Sequence, residues 1–206
     1  MTLHPELRAR TEMLANRHWD LPAIEKRFKH LAENGISKKQ VRREEAVREK
    51  KKILDRVQER AEEYCYLTRS CAKGSCLALL EEFGMGSMGI IKALGPFPGL
   101  AMTGGICGPV AGGLIALGLF FSDEDPADYE NPRAYFAARD FIERFEEVFE
   151  STLCTEIQKQ LLGKAYDPFA GLEELTAFNA SGAREKCPAA PGFGARIAAE
   201  IIIERL

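Results

Sequence analysis

The chain is poor in histidine: its three, His4, His18 and His30, all lie in the first 30 of 206 residues, far from most of its cysteines. No Cys-x-x-Cys-His occurs, so covalent haem is excluded on motif. Cys-x-x-Cys is missing too, which leaves out a thioredoxin-type pair and a zinc ribbon, and ferredoxin cysteine runs are absent. There is no convincing strand pattern and no internal repeat. No paired carboxylate, Ser-His-Asp set or phosphate loop supports a hydrolase or a nucleotide enzyme. The opening Met1-Thr2-Leu3-His4-Pro5-Glu6 lacks an apolar h-region, so a cytoplasmic location is expected. Six cysteines are too few for a disulfide-dense secreted domain.

What is present is charge, unevenly placed. The net charge is −3, yet residues 1–60 carry 16 Lys and Arg against 10 Asp and Glu, while the remainder carries 12 against 21. The halves either meet different partners or attract one another. The basic stretch Lys38 to Arg56 is interleaved with Glu44, Glu45, Glu49 and Asp55. It reads as a solvated, salt-bridged helix rather than a nucleic-acid helix, which would gather its basic residues on one face.

An all-α fold is expected: a helical bundle around a Gly-rich loop and a buried apolar helix, with an N-terminal helical extension. Two units are read, a basic extension over 1–60 and a main domain over 61–206. Pro5 opens a helix running to about His18. Asp20-Leu21-Pro22 caps a second that closes at Asn34-Gly35, and Ser37 is expected to cap a third. Residues 93–122 are uncharged. Gly95-Pro96-Phe97-Pro98-Gly99 and Thr103-Gly104-Gly105 interrupt them, so Val110 to Phe121 is too short to span a membrane and reads as a buried helix. After the acidic turn Asp123-Glu124-Asp125-Pro126, one long amphipathic helix is expected from Pro132 to Leu162. Its stripe is Phe141, Phe145, Val148, Phe149, Leu153, Ile157 and Leu161. A loop-rich segment follows, then a last helix over Ala195 to Leu206.

Four cysteines sit where a site can be built. Cys76 opens a helix, and Cys107 stands where a glycine-rich loop turns into one, near an N-cap that favours a thiolate. Cys154 faces inward with Ile157 and Leu161, and Cys187 precedes Pro188 before the last helix. These thiols converge only through the fold; taken singly, each is equally a small buried hydrophobe. Cys65 and Cys71 read as ordinary buried side chains. Cys71 lies five residues before Cys76, so the two point to different helix faces, although a bend at Gly74 would make Cys71 or Cys65 a substitute ligand.

At these positions the sequence resembles the C_GCAxxG_C_C family of redox-active proteins. The motif reads Cys107-Gly108-Pro109-Val110-Ala111-Gly112, with Pro109 in place of the motif alanine. The first cysteine looks like Ser75-Cys76-Leu77, the third like Cys154-Thr155-Glu156-Ile157 and the fourth like Lys186-Cys187-Pro188. The resemblance covers about residues 61–206. It implies one thiol centre of Cys76, Cys107, Cys154 and Cys187, with Gly108 and Gly112 beside the cofactor. A related domain occurs in split-Soret cytochromes c, which implies an iron–sulfur cluster; their haem motif is missing here. The expected function is electron transfer to a redox partner protein. The alternatives are a metal-free thiol–disulfide protein, with Cys107 attacking and Cys154 or Cys187 resolving, and a four-cysteine zinc staple in an interaction protein. A homodimer is a candidate assembly by analogy alone.

Overall fold

A computed structural model describes residues 4–123, 125 and 131–206. The helices are α1 (Pro5–Ala15), α2 (Leu21–Asn34), α3 (Arg43–Arg48), α4 (Lys50–Thr68), α5 (Cys71–Phe83) and α6 (Met88–Ala93). There follow the short turn α7 (Gly99–Met102), α8 (Gly108–Phe121), α9 (Arg133–Phe149) and α10 (Cys154–Leu162). The chain closes with α11 (Leu172–Ala180), α12 (Ala183–Lys186) and α13 (Ala189–Arg205). The fold is all-α, as expected, and none of the described helices is long and apolar enough to cross a membrane.

Helices α4, α5, α8, α9 and α13 form the packed centre. Composition explains why α5, α8 and α13 lie inside. Leu77, Leu79, Leu80, Leu117, Ile201 and Ile202 leave almost no surface to water, and a helix apolar on most sides must be surrounded. Small residues allow close approach. A Cβ on Gly74 would stand 2.8 Å from the Cys65 backbone nitrogen, and one on Gly112 would stand 2.6 Å from the Ala72 carbonyl oxygen. Phe141, Phe145 and Phe149 of α9 fall four apart and point inward, Phe145 stacked on Phe149 with ring centroids 4.5 Å apart.

The uneven charge resolves within the molecule. Arg10 forks onto the fully buried Glu62 carboxylate through Nε and Nη2, at 2.7 and 2.6 Å. Arg17 reaches Glu59 and Glu63, and Arg27 pairs with Glu63. Lys50 bridges to Glu200 and Glu204 of α13, Arg56 pairs with Glu82, and Arg60 with Glu81. Tyr64 donates to Glu81 at 2.6 Å and accepts from Arg27, joining α2, α4 and α5. Much of the basic N-terminal third is therefore spent on acidic partners in the same chain.

Several boundaries differ from the sequence reading. The segment 35–42 is not helical, so Ser37 caps nothing. Instead Lys39 crosses the end of α5, its Nζ donating to the carbonyls of Glu81 and Glu82, a tertiary contact that outweighs local propensity. Helix α4 runs unbroken across the expected division at residue 60. The long helix over 132–162 is two helices. Glu150 adopts the left-handed conformation at φ 55°, and the Ser151 hydroxyl accepts the Leu153 N–H. The loop after Gly163 contains α11 and α12, and the last helix begins at Ala189. Part of the acidic turn, Glu124 and Pro126, lies outside the described residues.

Candidate functional site

The break at Glu150 matters because it turns Cys154 from a mid-helix residue into the first residue of α10. Across from it, Cys107 is the N-cap of α8. An isolated antiparallel bridge between Ile106 and Leu153 ties the two helix starts together. The Cys107 N–H donates to the Thr152 carbonyl and the Cys154 N–H to the Gly105 carbonyl, each at 2.8 Å. Cys71 is the first residue of α5, behind Ser70, whose hydroxyl accepts from the Lys73 N–H. The Cys187 carbonyl accepts the Ala190 N–H from the first turn of α13. Three cysteines, Cys71, Cys107 and Cys154, thus stand at helix N-termini, where unpaired N–H groups and the helix dipole favour a thiolate, while Cys187 lies at the joint where α12 ends and α13 begins, its N–H donating to the Ala183 carbonyl.

These four, with Cys65 from the last turn of α4, line one cavity of about 420 Å³. Ile157, Leu161, Phe178 and Met102 supply apolar wall, and Arg69 and Arg184 are also in the lining. Pro98 and Met102 reach the wall through α7, a left-handed turn in which Gly99, Leu100, Ala101 and Met102 all have φ between 46° and 60°. Left-handed non-glycine residues cost about 1 kcal/mol or more each. The Ala101 N–H to the Pro96 carbonyl at 2.7 Å and the Thr103 hydroxyl to the Leu100 carbonyl at 2.7 Å help hold it. Gly99 is needed there, since a Cβ would stand 3.2 Å from the Cys154 sulfur.

The thiols do not share one electrostatic environment. A hydrogen bond from Cys107, supported by Gln158 Nε2 at 3.5 Å, lowers the Cys154 thiol to about 7 despite burial. Cys107, holding the proton between Cys154 and Cys71, is pushed well above the usual thiol range. Burial raises Cys187, and burial followed by its neighbours Cys71 and Cys187 raises Cys65. Cys76 is pushed up to about 12 by burial alone.

The structure brings Cys107, Cys154 and Cys187 to the cavity and sets Cys76 apart. Five residues on a helix turn about 500°, so Cys76 faces the core while Cys71 faces the cavity. Gly108 and Gly112 serve the α5–α8 contact: Gly108 packs on the Cys71 sulfur and the Ala72 nitrogen, Gly112 on Ser75 and the Ala72 carbonyl. Sequence reasoning missed Cys71 and Gln158. Ser70 before Cys71 was a readable helix-start signal; Gln158, four residues after Cys154, carried none.

Fold and site together define an all-helical protein built around a thiol pocket. A family model described as "Putative redox-active protein (C_GCAxxG_C_C)" matches residues 69–201. The chain belongs to that family, and its name supports a redox role. The match takes in every cavity cysteine except Cys65. Searches of curated proteins and of solved structures gave no match.

Proposed function

We propose that this is an electron-transfer protein whose cavity holds an iron–sulfur cluster on the thiolates of Cys71, Cys107, Cys154 and Cys187. The observation that carries the reading is the convergence of these four cysteines on one cavity, three of them at helix starts. The donor set suits the group, because soft thiolates are the usual ligands of such clusters. Among the described residues, no three Cys, His, Asp or Glu side chains are close enough together to hold one metal ion. A closed zinc site would draw four sulfurs to within about 3.8 Å of one another. A cavity of about 420 Å³ lined by four such thiols instead suits a body with several metal atoms, each taking one thiolate. When bound, the cluster supplies a one-electron couple.

The chain's own contribution is positional and electrostatic. The helix N-termini at Cys71, Cys107 and Cys154 offset the negative charge that the thiolates bring together. The Ile106–Leu153 bridge fixes Cys107 against Cys154, and the amide of Gln158 donates to the Cys154 sulfur, the kind of contact that raises a potential. The test is iron and acid-labile sulfide content of protein purified without oxygen, followed by single Cys→Ser variants. Substitution at Cys71, Cys107, Cys154 or Cys187 should lower the iron, whereas Cys76→Ser should keep it. Retained iron in Cys107→Ser would sink the assignment.

One observation favours a second reading. The bridge and shared hydrogen bond of Cys107 and Cys154 also suit thiol–disulfide exchange. The Cys154 thiolate would attack a substrate disulfide and expel one thiolate. Cys107 would then displace the second, leaving a Cys107–Cys154 disulfide. A colourless, metal-free protein that forms this one disulfide would support it.

A further inference from the structure

Helix α11 is the one described helix with no buried residue. It has nine residues and packs chiefly against the short α12. A helix of that length is marginal in water on propensity alone and is ordinarily held by burying a face. Here Leu172 is 79% exposed and Leu175 40%, and Phe169, in the turn before the helix, is 80% exposed. They recur every three residues, and Leu172 and Leu175 share one helical face. From the same helix Phe178 and Asn179 line the thiol cavity. Asn179 lies four residues after Leu175 and seven after Leu172, so the exposed apolar stripe runs along one face of the helix into the cavity wall.

We infer that α11 is the docking helix for a redox partner protein whose own surface is apolar at the centre and ringed by Lys and Arg. The inference rests on the electron-transfer reading and names the partner of that site. Charge decides the occupant. The stripe is flanked by Asp167, Glu173 and Glu174, of which, among the described residues, only Glu174 meets a cation, Lys164 at 3.5 Å. A second copy of this chain fits poorly. A two-fold contact would set α11 against itself, and these carboxylates would then face their own kind. A basic rim turns the same three charges into attraction and steers the encounter. Arg69 and Arg184, placed at the cavity by the end of α4 and by α12, make the surrounding charge uneven, which fixes the partner's orientation.

The test uses the full chain, anaerobically reduced, in stopped flow against two probes: cytochrome c as a basic carrier and a plant-type ferredoxin as an acidic one. Electron transfer to cytochrome c should slow roughly 10-fold between about 20 and about 300 mM salt. Phe169→Ser/Leu172→Ser should lower the second-order rate constant about 10-fold, the size of a lost docking anchor. Glu173→Lys should lower it by about 3-fold at low salt. The midpoint potential should stay unchanged in each variant. Both apolar positions are largely exposed, so the fold should tolerate serine; an unchanged far-ultraviolet circular dichroism spectrum verifies this. A double variant as fast as the wild type overturns the inference, as does equal reactivity with ferredoxin. A wild-type dimer abolished by the double variant also overturns it, by giving the stripe to a second copy. Wild-type protein with no reversible redox transition refutes the electron-transfer reading, and the inference with it, before any variant is compared.

Discussion

Adding one methyl group to α8 should have opposite consequences at two glycines in the same helix. At Gly112 a Cβ would overlap the Ser75 hydroxyl, stand 2.6 Å from the Ala72 carbonyl oxygen and 3.1 Å from the Cys76 nitrogen. The hydroxyl can rotate away, at the expense of its bonds to the Cys71 and Ala72 carbonyls. The backbone of α5 cannot. Ordinary contact begins at 3.4 Å, so α8 must retreat from α5 by about 0.8 Å. Overpacking of this kind costs about 1–3 kcal/mol, and alanine returns at most about 1 kcal/mol of helix propensity. Gly112→Ala should therefore lose roughly 1–2 kcal/mol net, or about 2–8 °C in melting temperature for a chain of this size. At Gly118 a Cβ meets nothing within 4 Å, and Gly118→Ala should gain about 0.5–1 kcal/mol. Thermal and urea unfolding of the metal-free protein measure both. Equal effects of the same sign would refute the close approach of α5 and α8, and with it the placement of Cys71 beside Gly108.

Two further predictions concern buried charge and the thiol pair. Glu62→Ala strands Arg10 and Arg17, and since Arg10 keeps some access to water the cost should be about 2–3 kcal/mol, against about 1 kcal/mol for Glu62→Gln, which keeps an acceptor; urea titration separates them, and equal losses would mean that the carboxylate charge is irrelevant. In reduced, metal-free protein, alkylation of Cys154 should rise with pH to a midpoint near 7, the value to which the hydrogen bond from Cys107 lowers it, and Cys107→Ala should move the midpoint upward. A folded-state value below the ordinary thiol range adds stability that is present above that range and lost as pH falls through about 7. A Cys154 midpoint in the usual thiol range would show that the two thiols do not share a proton.

The apolar interior was legible in the sequence because composition alone forces it. Val110 to Phe121 has no charged face to show to water, and Phe141, Phe145 and Phe149 recur at helical spacing. The break at Glu150 was not legible. Nothing in Val148 to Leu153 forbids a helix, and the chain stops there because Leu153 pairs with Ile106, a partner some forty-seven residues away in sequence. Segment 35–42 departs from a helix in the same way, its Lys39 taken up by the end of α5. Local pattern encodes what a residue buries, but not which distant group competes for its backbone.

The site shows the same division, and it bears on which thiols belong together. Motif context singled out Cys76, because it lies before the apolar Leu77 to Leu80. Helix polarity ranks the cysteines differently. Cys71, Cys107 and Cys154 sit where a helix begins, at the positive end of its dipole, and Cys187 at the joint where the short α12 ends and the much longer α13 begins, while Cys65 sits in the last turn of α4, at the negative end. Gathering four thiolates is costly without such compensation, and a fifth at a helix C-terminus would add repulsion from the dipole as well as from its neighbours. Cys65 is therefore the cavity thiol best suited to remain protonated, and Cys76 is removed from the set by the face it occupies. This polarity, readable once Ser70 is recognised as a helix cap, supports the ligand set of Cys71, Cys107, Cys154 and Cys187.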